Sequence, residues 1–101
     1  MSLILKKLGK EVCTLVGDDI NPPPSLGFLP GYESVTNKSF LDVELSDFDL
    51  FLSIDAGDLQ RVTSKSELTS PLSIKTIVID HHKGNPEFGH LNIVDPESMS
   101  A

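Results

Sequence analysis

The sequence predicts an α/β fold with a mainly parallel sheet flanked by helices. Three observations carry that expectation. The run Ile-Lys-Thr-Ile-Val-Ile at residues 74–79 is β-branched and apolar, as expected of a strand buried on both faces. Strand-like runs alternate with helical or irregular crossovers along the chain. Aromatic residues make up only 6% and Trp is absent, which points to a core of Leu, Ile and Val and suits a parallel sheet better than a small barrel.

The elements follow in order. The opening SLILKKLGKE reads as the last turns of an amphipathic helix, with Leu5 and Leu8 on one face and Gly9 as its stop. Residues 11–17, EVCTLVG, are β-rich and long enough for a buried strand. The segment DDINPPP at 18–24 ends it, because three consecutive prolines cannot lie within a sheet ladder. Residues 25–29 form at most one helical turn, closed by the Pro30-Gly31 turn signal. Residues 40–45 and 48–54 are apolar enough to pack, and the second, FDLFLSI, is the better strand. A short helix is expected over 58–68, with Asp58 as its cap, then a polar surface loop around Thr69, Ser70 and Pro71. Residues 74–79 form the strongest strand and 91–94 a short one. The closing PESMSA reads as a helix beginning, capped by Asp95 with Pro96 in its first turn.

A chain of 101 residues has room for one small domain with a modest core. The formal charge of −7 argues against gripping long nucleic acid through its phosphates, and no Lys/Arg run reaches the density of a nucleic-acid arm. Bound divalent cations reverse the sign locally, so an acidic chain can still act on phosphate esters. Charge therefore limits the size of the substrate more than its chemistry. The lone Cys13 excludes an internal disulfide and, between Val12 and Leu15, is expected to be a buried, inert thiol. No window approaches a membrane span and no signal-peptide pattern opens the chain, so a cytoplasmic protein without membrane contact is expected.

Ligands of open parallel sheets bind beyond the carboxyl ends of the strands. Two such ends here carry unusual residues. FDLFLSI runs into Asp55-Ala56-Gly57-Asp58, and IKTIVI runs into Asp80-His81-His82. A carboxylate and two imidazoles offer ligands for Mn²⁺, Mg²⁺ or Zn²⁺. Adjacent histidines in extended chain point in opposite directions, so one is expected on a metal and the other on a substrate oxygen. An arbitrary Asp-His-His is more often a polar strand end meeting water; the second carboxylate, Asp55, shifts that balance, since Asp58 is free to cap the next segment.

A strand ending VIDHH after an earlier strand ending in Asp resembles the DHH phosphoesterases. These include RecJ-type exonucleases, oligoribonucleases that also cleave pAp, cyclic dinucleotide phosphodiesterases and family II inorganic pyrophosphatases. The resemblance extends across the chain: LKKLGKEV is similar to the end of the family's first helix and its second strand, SLGFLPGYESV to the loop after it, and NIVDPESMSA to the approach to the next helix. It implies a Rossmann-like domain, here incomplete, and a hydrolase using two Mn²⁺ ions, with Mg²⁺ the alternative. Asp55 would bridge the ions and His81 would ligate one. His82 would contact the scissile phosphoryl group as a catalytic and substrate-binding residue, and Asp80 would orient the imidazoles. Lys83 is expected to be an exposed lysine rather than a phosphate ligand.

The resemblance also implies parts that residues 1–101 lack: a His with a Pro-Asp-x-Asp-Ala segment before Met1, a further aspartate beyond Ala101, and a C-terminal substrate-binding domain. The expectation is thus a partial domain, inactive alone, from an exopolyphosphatase-related enzyme acting on short oligonucleotides, pAp or polyphosphate-like molecules. A strand absent from mid-sheet would leave edges that favour a homodimer. The competing reading is a non-catalytic binding or assembly module of the same fold. A mononucleotide-binding domain is disfavoured, because no Gly-rich phosphate loop follows any strand.

Overall fold

The computed structural model describes residues 1–18, 21–64 and 72–101. The chain divides into two units, Met1–Phe40 and Leu41–Ala101.

The first unit opens with helix α1, Ser2–Lys7. Gly9 stops it as its position suggests: with φ +76° it turns left-handed, so that its N–H donates to the Lys6 carbonyl and that of Lys10 to the Leu5 carbonyl, both at 3.0 Å. These two bonds form a Schellman closure, and Lys6 and Lys7 place positive charge at the helix end where the dipole favours it. The expected strand over 11–17 shrinks to β1, Thr14–Leu15, parallel to β2, Val35–Thr36. Strand β2 has no counterpart in the sequence reading. It spans two residues and follows directly on a 3₁₀ turn at Tyr32–Ser34. Cys13 therefore lies outside the ladder and is exposed, contrary to its expected burial. The proline segment is held by Tyr32, whose hydroxyl donates to the Pro22 carbonyl at 2.7 Å. A single 3₁₀ turn, Pro24–Leu26, replaces the helical turn expected just after it.

The second unit contains a three-stranded parallel sheet in the order β3-β4-β5, formed by Phe51–Ile54, Thr76–Asp80 and Leu91–Val94. The α/β class with parallel strands holds, although α1 is the one α-helix among the described residues. Register pairs Ile54 with Ile79 and Ile79 with Ile93, so the three carboxyl ends lie side by side. Strand β3 is shorter than FDLFLSI suggested, beginning only at Phe51. The helix expected over 58–68 is a 3₁₀ turn, Leu59–Arg61, with the Arg61 N–H donating to the Asp58 carboxylate at 3.0 Å as a cap. The remainder of that segment, and the loop around Thr69, Ser70 and Pro71, lie outside the described residues.

Burial on β4 alternates. Thr76, Val78 and Asp80 are buried, whereas Ile77 and Ile79 are half-buried. The expectation of burial on both faces therefore holds fully for only one. On that face, Val78 is 1% exposed, and Leu59, Leu72, Ile74 and Phe88 are the other buried apolar side chains among the described residues of the unit. Across the opposite face run two registered aliphatic rows, Leu52-Ile77-Leu91 and Ile54-Ile79-Ile93. The outer members Leu91 and Ile93 are each 53% exposed.

The entry into β5 is a tight turn. Asn92 clamps it, accepting from the Gly89 N–H and donating to the Gly89 carbonyl, both at 2.9 Å. A Cβ on Gly89 would stand 2.8 Å from both the Leu91 carbonyl oxygen and Val78 Cγ2, so only glycine fits. Gly89→Ala is expected to force these groups apart and cost about 1–3 kcal/mol. Urea denaturation checks this; a midpoint equal to that of the unaltered chain would contradict it.

Candidate functional site

The parity that buries Val78 also buries Asp80, the last residue of β4, whose side chain has no exposed surface. A carboxylate in that position is tolerated only if its lone pairs are taken up. They are. Oδ1 accepts from the His81 N–H at 2.8 Å and from His82 Nδ1 at 2.7 Å, and Oδ2 accepts from Asn85 Nδ2. Burial by itself would raise the carboxyl's affinity for a proton. The hydrogen bonds from His82, Asn85 and the backbone N–H groups of His81 and His82 together outweigh it, holding Asp80 well below the usual carboxylate range.

Asp55 arrives from the neighbouring strand. Its N–H extends the ladder by donating to the Ile79 carbonyl at 2.9 Å, and the chain then breaks from the sheet with Asp55 at φ +61°. Asp is among the few non-glycine types that adopt this left-handed conformation at modest cost. The side chain is 54% exposed, and Oδ1 stands 3.1 Å from His81 Nε2 and 3.8 Å from His82 Nδ1.

The two histidines converge. One ligand atom from each of Asp55, His81 and His82 lies within 4.8 Å of the others, and the imidazole centroids are 4.9 Å apart. This corrects the expectation that adjacent histidines diverge. Strand geometry ends at Asp80, so alternation no longer governs residues 81 and 82.

Hydrogen bonding assigns the tautomers. His81 Nδ1 faces the Ser98 carbonyl at 3.2 Å, and a carbonyl only accepts, so Nδ1 carries a proton and Nε2 points its remaining valence at Asp55. His82 Nδ1 likewise donates to the ionised Asp80, leaving Nε2 as its available atom. A bare lone pair on His81 Nε2 would confront the lone pairs of Asp55. A positive species between them, either a proton on Nε2 or a metal ion, removes the conflict. Lys83 is exposed.

Two contributors escaped the sequence reading. Ser98 is one. Asp95 does act as a cap, accepting from the Glu97 N–H at 3.1 Å through Oδ1 and from the Ser98 N–H at 3.0 Å through its carbonyl. The result is a single turn rather than the expected helix start, and it presents the Ser98 carbonyl to His81. Asn85 is the other; its position beside Gly84 marks a turn but not what its amide would reach.

The search against protein-family models finds no match. Among curated proteins, the chain is 35% identical over 96 residues to the bifunctional oligoribonuclease and PAP phosphatase NrnA of Thermus thermophilus. That alignment takes in 95% of this chain and 26% of the relative, so the chain spans about a quarter of the length of the protein it matches. The match supports a DHH-type phosphoesterase relationship. No helix among the described residues is long and apolar enough to cross a membrane.

The Asp80 carboxyl makes stability depend on acid in a defined direction. The unfolded chain takes up this proton near 3.8, whereas the folded protein resists it to lower pH. Its contribution is therefore complete above the unfolded value and drains away as pH falls below it. Asp80→Asn should cost about 1–3 kcal/mol near neutrality, by leaving donors unpaired. Its stability should also fall less steeply than that of the unaltered chain as pH drops from about 4 to about 2. Denaturation curves at several pH values test both; parallel pH profiles would contradict the assignment.

Proposed function

We propose that this chain carries part of the active centre of a metal-dependent phosphoester hydrolase, with Asp55 and His81 as metal ligands and His82 as the group facing the phosphoryl oxygens. The observation that carries this reading is the approach of His81 Nε2 to Asp55 Oδ1 at 3.1 Å, with the opposite ring nitrogen of His81 committed to the Ser98 carbonyl. The donor set suits a hard or borderline divalent ion, Mn²⁺ by preference and Mg²⁺ as the alternative. At 3.1 Å apart, His81 Nε2 and Asp55 Oδ1 are close enough that both would hold the same ion. The 35% identity to a bifunctional oligoribonuclease and PAP phosphatase supports short oligonucleotides and pAp as the substrate class. The net charge of −7 is in keeping with small substrates rather than long nucleic acid.

When bound, the divalent ions would neutralise charge on the phosphoryl group and acidify the attacking water. The chain's own residues do the rest. Asp55 brings negative charge to the end of β3, and the Ser98 carbonyl fixes the ring of His81. A phosphoryl oxygen is an acceptor, so His82 would meet it with a proton on Nε2. The Asp80 carboxylate at 2.7 Å from Nδ1 is the counter-charge to the resulting imidazolium. Burial of Asp80 keeps that partner dry, and the hydrogen bonds it accepts keep it ionised.

Titration with Mn²⁺, followed by paramagnetic broadening, tests the ligand set. The His81 ring signals should broaden first, with affinity in the high-micromolar range or weaker because few protein ligands are engaged, and Asp55→Asn should abolish the effect. In the protein that contains this chain, hydrolysis of pAp should require the divalent ion, and His82→Ala should lower the rate by about a hundredfold or more. Broadening that ignores Asp55→Asn would overturn the metal site. Metal binding without hydrolysis of any phosphoester would favour a non-catalytic binding module.

A further inference from the structure

We propose that Asn85 is a positioning residue for His82, acting through Asp80, and that the loop from His82 to Glu87 is folded around its side-chain amide. The catalytic meaning of this assignment rests on the function proposed above; the positioning itself does not.

A carboxylate bound through one oxygen is poorly fixed, because its terminal torsion is broad and two-fold. The donors around Oδ1 of Asp80 come from the His pair itself: the His81 N–H and the His82 ring. They cannot hold the group that is supposed to hold them. The independent anchor is Asn85, whose Nδ2 donates to Oδ2. With both oxygens taken, the carboxylate plane is set and Oδ1 stays aimed at His82 Nδ1.

Asn85 is itself fixed at both ends. Its Oδ1 accepts from the Glu87 N–H at 2.7 Å, and its backbone N–H donates to the His82 carbonyl at 3.3 Å. The loop reaches this arrangement through two left-handed residues, Gly84 at φ +86° and Glu87 at φ +52°. A non-glycine residue such as Glu87 takes that conformation reluctantly, and the bond from Asn85 Oδ1 secures it. Position 85 therefore needs a donor toward Asp80 and an acceptor toward Glu87 on one short side chain. The Asn85 amide supplies both from separate atoms, Nδ2 toward Asp80 and Oδ1 toward Glu87. Asp would keep the acceptor but set a second carboxylate against Asp80, and Ala would lose both contacts.

The consequence is read in the His82 ring. Neutral His82 should exist as one tautomer, protonated at Nδ1, as long as Asp80 is held. His90 provides an internal reference, because its Nδ1 accepts from the Thr76 N–H at 3.1 Å and its proton must lie on Nε2. Nitrogen-15 correlation spectra of the imidazoles, at a pH where they are neutral, separate the two tautomers. In Asn85→Ala and in Asn85→Asp, His82 is expected to lose its single Nδ1–H tautomer and become a mixture, while His90 keeps its Nε2–H form. Retention of the pure Nδ1–H form of His82 in both variants would overturn the proposal. Collapse of the β4 amide signals in both would overturn it too, by making Asn85 a folding residue. The readout needs neither metal nor substrate. A tautomer shift in a protein that binds no Mn²⁺ would thus leave the positioning intact and remove the proposed function.

Discussion

The buried carboxylate of Asp80 is the interaction on which the rest of the site depends. It stands at the end of the central strand, on the face that also buries Thr76 and Val78, and has no exposed side-chain surface. Desolvation of an ionised carboxylate is unfavourable by several kcal/mol unless donors replace the lost water. Each donor that does so belongs to the segment that follows: His81, His82 and Asn85. Satisfying one buried charge thus dictates the path of the chain as it leaves the sheet. The two histidines are gathered to one side as a result.

Register does the corresponding work from β3. Pairing of Ile54 with Ile79 brings Asp55 level with the end of β4, and the left-handed turn at Asp55 releases its side chain from the sheet toward the imidazoles. A slip of one residue would exchange the faces of the whole strand and bury Asp55 in the place of its neighbour. The third strand contributes less directly. The turn after β5, built on Asp95, delivers the Ser98 carbonyl that fixes the ring of His81. Three successive strand ends therefore each supply one constraint, which is the general reason that parallel sheets concentrate chemistry at their carboxyl edge.

The sheet itself is asymmetric. One face is closed by small and apolar side chains, while the other presents Leu52, Ile77 and Leu91 beside Ile54, Ile79 and Ile93 in registered rows. Leu52, Ile77 and Ile79 are half-buried, whereas Ile54, Leu91 and Ile93 are open. A uniformly β-branched sequence such as TIVI carries no mark of this difference. Its alternate members have the same chemistry whether a layer covers them or not.

Much of the fold was legible because it follows from local chemistry. The run at 74–79 announced a strand, which spans Thr76–Asp80, Gly9 ends its helix as read, and Asp58 and Asp95 were recognisable caps, since each depends on neighbours close in sequence. The juxtaposition of Asp55 with the His pair was readable too, because adjacent parallel strands bring their ends together. Other features required the folded chain. Strand β2 needed a partner twenty-one residues away in the sequence, and Cys13 was exposed by where that pairing began. The convergence of His81 and His82 could not be read from their order, because the alternation that would separate them holds only within a strand. Asn85 and Ser98 join the site through a buried carboxylate and a backbone carbonyl, and neither partner can be inferred from residue type. The sequence by itself determined which groups stand at the strand ends; tertiary structure decided their directions, because hydrogen bonds across loops set direction and composition does not.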